Sequence, residues 1–296
     1  MHYGTPATLD DVLPYYTHIR RGRPPEPEHL EDLIERYRAI GGPSPLNAIS
    51  RRQAESIQKG MADLGVDASL YVAAKHAPPF IADGVRQMAS DGIERAVGVV
   101  LAPHYSSFSV AAYTAEAQRA RDEFKPSMQL SVLQRWGTMP ALIEGLARRL
   151  DVARTPFHPD QTLVIFSAHS LPERILASGD PYHQELLETS QLVAKRAKVP
   201  HWAFAFQSAS HTGEPWLGPD ILDVIEQSAG KYRNIVACTV GFISDHLEVL
   251  YDLGIEAKSK CEELGLGFAR AACINDDPAV MSGLAALALG ELAVPT

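Results

Sequence analysis

An apolar run at 163–166 ends in Ser167-Ala168-His169-Ser170-Leu171-Pro172-Glu173, which holds a histidine at the start of a loop. A second run, 235–242, is followed by Ser244-Asp245-His246-Leu247-Glu248, which sets a carboxylate one turn into the next helix. A neutral imidazole and a carboxylate suit a borderline divalent metal, and both accept protons near neutral pH. A histidine after a strand can also be a plain hydrogen-bonded loop residue. The paired reading gains because strand carboxyl ends on facing domains converge on one cleft. Glu248, Asp252 and Glu256 stand at i, i+4 and i+8, one stripe of an α-helix. Like charges at this spacing repel by a few tenths of a kcal/mol per pair. The stripe is either a solvated acidic face or a ladder that begins at Glu248. Arg20, Arg21 and Arg23 form the one basic cluster, a solvated turn or a grip for a small polyanion through bidentate guanidinium contacts.

These residues need a scaffold that presents strand ends. Apolar runs at 70–74, 96–102, 128–133, 163–166, 202–206 and 235–240 read as buried strands. Between them lie amphipathic stretches of helical period at 45–64, 79–91, 108–124, 140–150 and 181–197. Repeated strand-helix units predict an α/β protein with parallel sheets flanked by helices. The strands split near Trp136-Gly137 into an early and a late group. We therefore expect two Rossmann-like lobes, residues 1–130 and 131–269, with a cleft between them.

The composition excludes several functions. With 36 acidic against 27 basic residues the formal charge is -9, and no basic stripe of the kind nucleic-acid binding requires is visible. Neither GxGxxG nor a Walker pattern occurs, and Gly41-Gly42 is followed by Pro43, so no nucleotide cofactor is expected. No GxSxG elbow offers a serine nucleophile. Cys238, Cys261 and Cys273 are widely spaced without CxxC, which suits a reducing cytoplasm better than a disulfide framework or a zinc site. No apolar run is long enough to cross a bilayer, and no signal peptide precedes Tyr3.

Seven blocks, in order, resemble the ferrochelatases: Tyr3-Gly4-Thr5-Pro6; Tyr16-Thr17-His18-Ile19-Arg20-Arg21-Gly22; Arg36-Tyr37 with Ile40-Gly41-Gly42-Pro43-Ser44-Pro45-Leu46; Leu101-Ala102-Pro103-His104-Tyr105-Ser106; the His169 block; Pro215-Trp216-Leu217-Gly218-Pro219; and the Glu248 block. Tyrosine before Gly4-Thr5-Pro6 is most similar to the Gram-positive type that metallates coproporphyrin III. The resemblance implies a chelatase fold whose last helix, within 270–296, returns to the first lobe. It assigns His169 and Glu248 to the inner metal site and makes Glu248, Asp252 and Glu256 a ladder passing iron inward or protons outward. Arg20, Arg36, Tyr37, Ser44 and Tyr113 match positions that line the macrocycle and hold propionates. Tyr3 matches an axial contact on the opposite face of the macrocycle from His169. Trp216 is either a core anchor or a wall of the cleft, and structural roles are expected for Lys75-His76 and His104. His18, His29, His158, His183, His201 and His211 receive no role.

The implied substrates are Fe(II) and coproporphyrin III, handled by a cytoplasmic monomer with no iron-sulfur cluster. The alternatives are a protoporphyrin IX ferrochelatase, a cobalt or nickel chelatase on the same scaffold, or a haem-binding or transfer protein. The family also begins with an apolar strand where this sequence has only Met1-His2, so the expectation is that the natural protein starts upstream and that Tyr3 is poorly anchored. The less favoured reading is a first lobe rearranged around the gap.

Overall fold

The computed structural model describes residues 1–210 and 213–293. Its elements run α1 (Val12–Ile19), α2 (Pro27–Ala39), α3 (Leu46–Asp63), α4 (Ile81–Ser90), β1 (Arg95–Val99), α5 (Val110–Phe124), β2 (Gln129–Leu133), α6 (Pro140–Arg154), β3 (Thr162–His169), α7 (Tyr182–Arg196), β4 (Trp202–Gln207), α8 (Ile221–Ser228), β5 (Asn234–Thr239), a π-helix (Val249–Ala257) continuing into α9 (Lys258–Glu263), β6 (Gly267–Arg270) and α10 (Pro278–Ala293). The chain divides into two units. One holds Met1–Leu101, Ser109–Gln134 and the chain from Asn275; the other holds Ala102–Phe108 and Arg135–Ile274. The division departs from boundaries drawn at 130 and 270 for local reasons. β2 runs on to Leu133 beside β1. Residues 102–108 are tied into the second unit, where Trp136 N–H donates to the Pro103 carbonyl (3.0 Å) and Tyr105 N–H to the Glu185 carboxylate (2.8 Å).

In the first unit β1 and β2 pair in parallel. The apolar helix α10 joins this unit, and its Ala285 and Ala288 share a core with Met61 of α3. The run at 70–74 does not form the expected strand. A strand needs neighbours along its length to take up its backbone groups, and here Ala74 makes only isolated parallel bridges, to His2 and to Phe80, with its N–H donated to the Pro79 carbonyl at 2.8 Å. His2 bridges Ala74 in parallel, and the Met1 amine donates to the Val99 carbonyl at 2.7 Å.

The second unit is a four-stranded, all-parallel sheet in the order β4-β3-β5-β6. β3 lies between two neighbours and is buried from Thr162 to Ala168, so it reads as a continuous apolar run rather than an alternating one. Leu163 and Ile165 face one way, into a core with Ile221 and Ile225 of α8 and Leu253 and Ala257 of the π-helix. Each such branched side chain, fully buried, contributes about 1.5–3 kcal/mol. β6 is only four residues, Gly-Phe-Ala-Arg, too short to show as an apolar run.

From β3 the chain goes to β4 on one side, and β5 is added on the other. That reversal of winding lies between the carboxyl ends of β3 and β5, where open parallel sheets leave a crevice. His169 is the last residue of β3, and Glu248 follows β5. The two therefore meet on neighbouring strands of one sheet, not through facing domains. Among the described residues no helix is long and apolar enough to cross a membrane.

Candidate metal and proton site

Backbone geometry aims His169. Nδ1 of its ring lies against the Ser170 carbonyl, and the Tyr182 hydroxyl donates to the His169 carbonyl at 3.1 Å. Because a carbonyl only accepts, Nδ1 carries hydrogen and Nε2 is left to face the site. Gly241, just past β5, runs so close that a side-chain carbon there would stand 2.5 Å from the Ala168 Cβ. Only glycine lets the β5 loop pass this close to the end of β3. Phe242 then stands edge-on to the His169 ring, with centroids 6.2 Å apart.

Glu248 lies at the amino end of its helix, not one turn inside it, where the helix dipole favours a carboxylate. Its Oε1 is 3.5 Å from His169 Nε2, and its Oε2 is 3.5 Å from Nε2 of His246. Nδ1 of His246 meets the Ser244 carbonyl at 2.9 Å, so the two imidazoles approach the carboxylate in the same tautomeric arrangement. Sequence reasoning missed His246, although its spacing two residues before Glu248 was the available signal. The Gln207 amide also donates to the Glu248 carbonyl (3.4 Å).

Burial opposes charge on His169, but the Glu248 carboxylate, the Ser170 carbonyl and Asp252 outweigh it and push the ring up to about 9. Burial likewise opposes ionisation of Glu248, and His169 with His246 overrides it, holding the carboxyl well below its usual range. Both shifts favour an imidazolium beside a carboxylate, where the sequence reading took the imidazole as neutral.

Asp252 is buried and accepts a bond from the Ser208 hydroxyl, whose backbone is left-handed at φ 61°. The segment Val249–Ala257 is π-helical, not the α-helix assumed for the i, i+4, i+8 stripe. Such i→i+5 turns recur at functional sites. Glu256 is half-buried. Among the described residues no three His, Cys, Asp or Glu side chains form a metal-binding group, so Asp252 and Glu256 are not gathered with His169 and Glu248 into one. Trp216 is half-buried, with its ring 6.3 Å from that of His169, which favours the wall over the core anchor.

The remaining candidates lie in the first unit. Tyr3 is 43% exposed, and its ring tilts over His76 at 4.6 Å. It is better anchored than expected. His76 N–H donates to its carbonyl (3.0 Å), Tyr15 hydroxyl to that of Gly4 (3.2 Å), and Gly4, at φ 88°, lies where a Cβ would come within 2.8 Å of the Ala77 Cβ. Tyr113 is buried, with the Lys75 ammonium 5.3 Å over its ring, and burial pushes its hydroxyl pKa up. Arg20 ends α1 exposed, 5.8 Å from the Tyr16 ring; Arg36 is half-buried in the last turn of α2. Tyr37 is only 2% exposed, its hydroxyl 3.2 Å from that of Thr5, and Ser44 accepts from Leu46 N–H at 3.3 Å. Both make internal bonds that leave little surface for a ligand. His104 is a core residue, 2.7 Å from the Thr189 hydroxyl. His211 lies outside the described residues.

A family model described as Ferrochelatase matches residues 1–292. Curated relatives include a ferrochelatase of Herpetosiphon aurantiacus, 40% identical over 98% of this chain and 97% of its own length. A coproporphyrin III ferrochelatase of Geobacillus sp. WCH70 is 43% identical over 99% and 96%, and one of Anoxybacillus flavithermus 42% over 99% and 95%. Among solved structures, SirB from Bacillus subtilis with Fe3+ aligns at TM-score 0.60 with 14% identity, covering 82% of this chain and 90% of SirB. The sirohydrochlorin chelatase SirB of subspecies spizizenii with cobalt aligns at 0.56 with 13% identity, covering 82% and 87%. At such identity the likeness concerns fold alone.

Proposed function

The chain belongs to the ferrochelatase family, and from that premise we propose that it is a lyase inserting Fe(II) into coproporphyrin III to give coproheme in haem biosynthesis. The observation that carries the mechanism is the 3.5 Å pairing of His169 Nε2 with Glu248 Oε1 at the winding reversal of the sheet. Metal insertion requires a ligand for the incoming ion and a destination for two pyrrole N–H protons. In the free enzyme the pair already holds one proton, which iron binding at His169 Nε2 would release to solvent. As the ion passes on to the macrocycle, Nε2 is freed, and it and the Glu248 carboxylate can each take one pyrrole proton. His246, on the second carboxylate oxygen, gives Glu248 another partner while the charges rearrange. A carrier needs an axial ligand but no proton acceptor, so Glu248 beside His169 supports turnover rather than storage. Binding energy spent on bending the macrocycle would turn its pyrrole lone pairs toward His169.

In this reading Arg20 and Arg36 hold the macrocycle, with Tyr3 as its axial neighbour, whereas Tyr37, Ser44 and Tyr113 are buried. Arg20 is the freest of these to pair a propionate, and a charge-assisted contact is worth about 1.5–3 kcal/mol. Arg20→Ala should therefore weaken coproporphyrin III, with its four propionates, more than protoporphyrin IX, which has two. Fluorescence-quenching titrations measure both, and equal losses would remove Arg20 from the residues that discriminate.

Asp252 and Glu256 deliver the ion in the same reading. Asp252→Asn combined with Glu256→Gln should raise the KM for iron and leave porphyrin affinity unchanged. Iron-dependence curves that superpose on wild type would leave Asp252 a buried partner of Ser208 and Glu256 a half-buried carboxylate, neither of them delivering iron. The proposal further takes the enzyme as a cytoplasmic monomer without iron-sulfur cluster or nucleotide, and sedimentation tests the monomer.

A further inference from the structure

Two imidazoles of the first unit lie nitrogen to nitrogen. His18, in the last turn of α1, and His76, in the loop before α4, place their Nδ1 atoms 3.0 Å apart. Neither ring is loose. His18 is stacked on Phe80 at 4.9 Å and 21°, and His76 carries the Tyr3 ring at 4.6 Å. The two rings stand at 72° to each other, with centroids 5.2 Å apart. His18 is exposed to solvent and His76 is half-buried.

We propose that His18 and His76 form a binding site for a divalent transition-metal ion, through both Nδ1 atoms, separate from the His169 site. Metal–imidazole bonds are about 2.0–2.1 Å, so two nitrogens sharing one ion are about 2.9 to 3.4 Å apart, between cis-octahedral and tetrahedral angles. The observed spacing falls in that range before any ion enters. As a direct hydrogen bond the contact needs one Nδ1 to donate and the other to accept. An ion uses both lone pairs, and the displaced Nδ1 hydrogen moves to Nε2 of the same ring, with no net loss of protons. Burial, reinforced by Lys75 and His18, pushes His76 down to about 3, so its ring is neutral and available. Glu116 of α5 is near enough for Lys75 and His18 to bias its carboxyl, which supplies countercharge. Imidazole nitrogen with water in the remaining positions suits zinc, nickel, cobalt or iron(II) better than calcium or magnesium.

The proposal does not depend on the reaction assigned to His169. It is tested on the full chain with Zn(II) as the probe, by calorimetry and by nitrogen-15 spectra of the histidine rings. Wild type should show the Nδ1 signals of His18 and His76 shifting together as Zn(II) is added. His18→Gln should lose one equivalent of bound zinc and leave the His76 signal in place, whereas His169→Ala should leave both signals responsive. If His18→Gln fails to fold, the wild-type spectra decide alone. Rings that do not respond to a large excess of Zn(II) in wild type, or a zinc stoichiometry unchanged in folded His18→Gln, would overturn it.

Discussion

His169→Ala should abolish metallation while the macrocycle still binds. The change removes the Nε2 that faces Glu248 but leaves the backbone that presents it. β3 stays paired with β4 up to the register position of residue 169 and with β5 up to Ser167. The lost ring is 28% exposed and its edge fills no core position, so the unit should fold. We expect kcat to fall at least about a hundredfold, roughly 2.7 kcal/mol in barrier terms. Porphyrin affinity, read by fluorescence quenching, should change little, because the propionate contacts are assigned to other side chains. A variant keeping more than about a tenth of wild-type kcat, a barrier change under about 1.4 kcal/mol, would mean that His169 has been given the wrong role.

Glu248→Gln should make His169 give up its proton at a lower pH. In wild type, burial lowers the ring's pKa, and Glu248, with the Ser170 carbonyl and Asp252, more than reverses this, to about 9. Without the carboxylate the main raising cause is gone, and the ring should titrate well below 9. Proton-nitrogen spectra of the imidazole across pH measure this directly. Stability follows with a definite sign. A pKa raised on folding contributes stability that is full below the unfolded value, 6.5, and is lost as pH rises through about 9. Glu248, whose pKa is depressed, contributes above its unfolded value of 4.5 and loses that contribution as pH falls. Wild type should therefore lose its advantage over Glu248→Gln as the pH is raised from neutral to 9. Iron affinity should rise over the same interval, as the competing proton leaves Nε2. A His169 ring that still titrates near 9 in the variant would show that Glu248 is not what holds its proton.

The chemistry was more legible in the sequence than the architecture that delivers it. A buried parallel strand is apolar on both faces, so 163–166 could be read and the histidine at its end stood out. Glu248 was found for the same reason, after the β5 run. His246 was not, because two residues of spacing do not show which way the ring points; in the fold the Ser244 carbonyl holds its Nδ1 and its Nε2 stands 3.5 Å from Glu248 Oε2. Local periodicity also misplaced the run at 70–74, whose composition suits a strand but which makes only isolated bridges, from Ala74 to His2 and Phe80. A carboxylate every four residues reads as an α-helical stripe, whereas the backbone from Val249 to Ala257 is a π-helix, and nothing in side-chain spacing distinguishes the two. Tyr37 shows the reverse limit: a motif match puts it on a ligand surface, but its neighbours in the fold bury it against Thr5.

The central claim is catalytic insertion of iron into coproporphyrin III. Anaerobic steady-state metallation with Fe(II), run on coproporphyrin III and protoporphyrin IX in parallel, tests it most directly. Many turnovers per enzyme with coproporphyrin III, and a lower kcat/KM with protoporphyrin IX, are the predicted result. A single stoichiometric event with either porphyrin would make the protein a carrier, and faster turnover of protoporphyrin IX would contradict the substrate assigned to it.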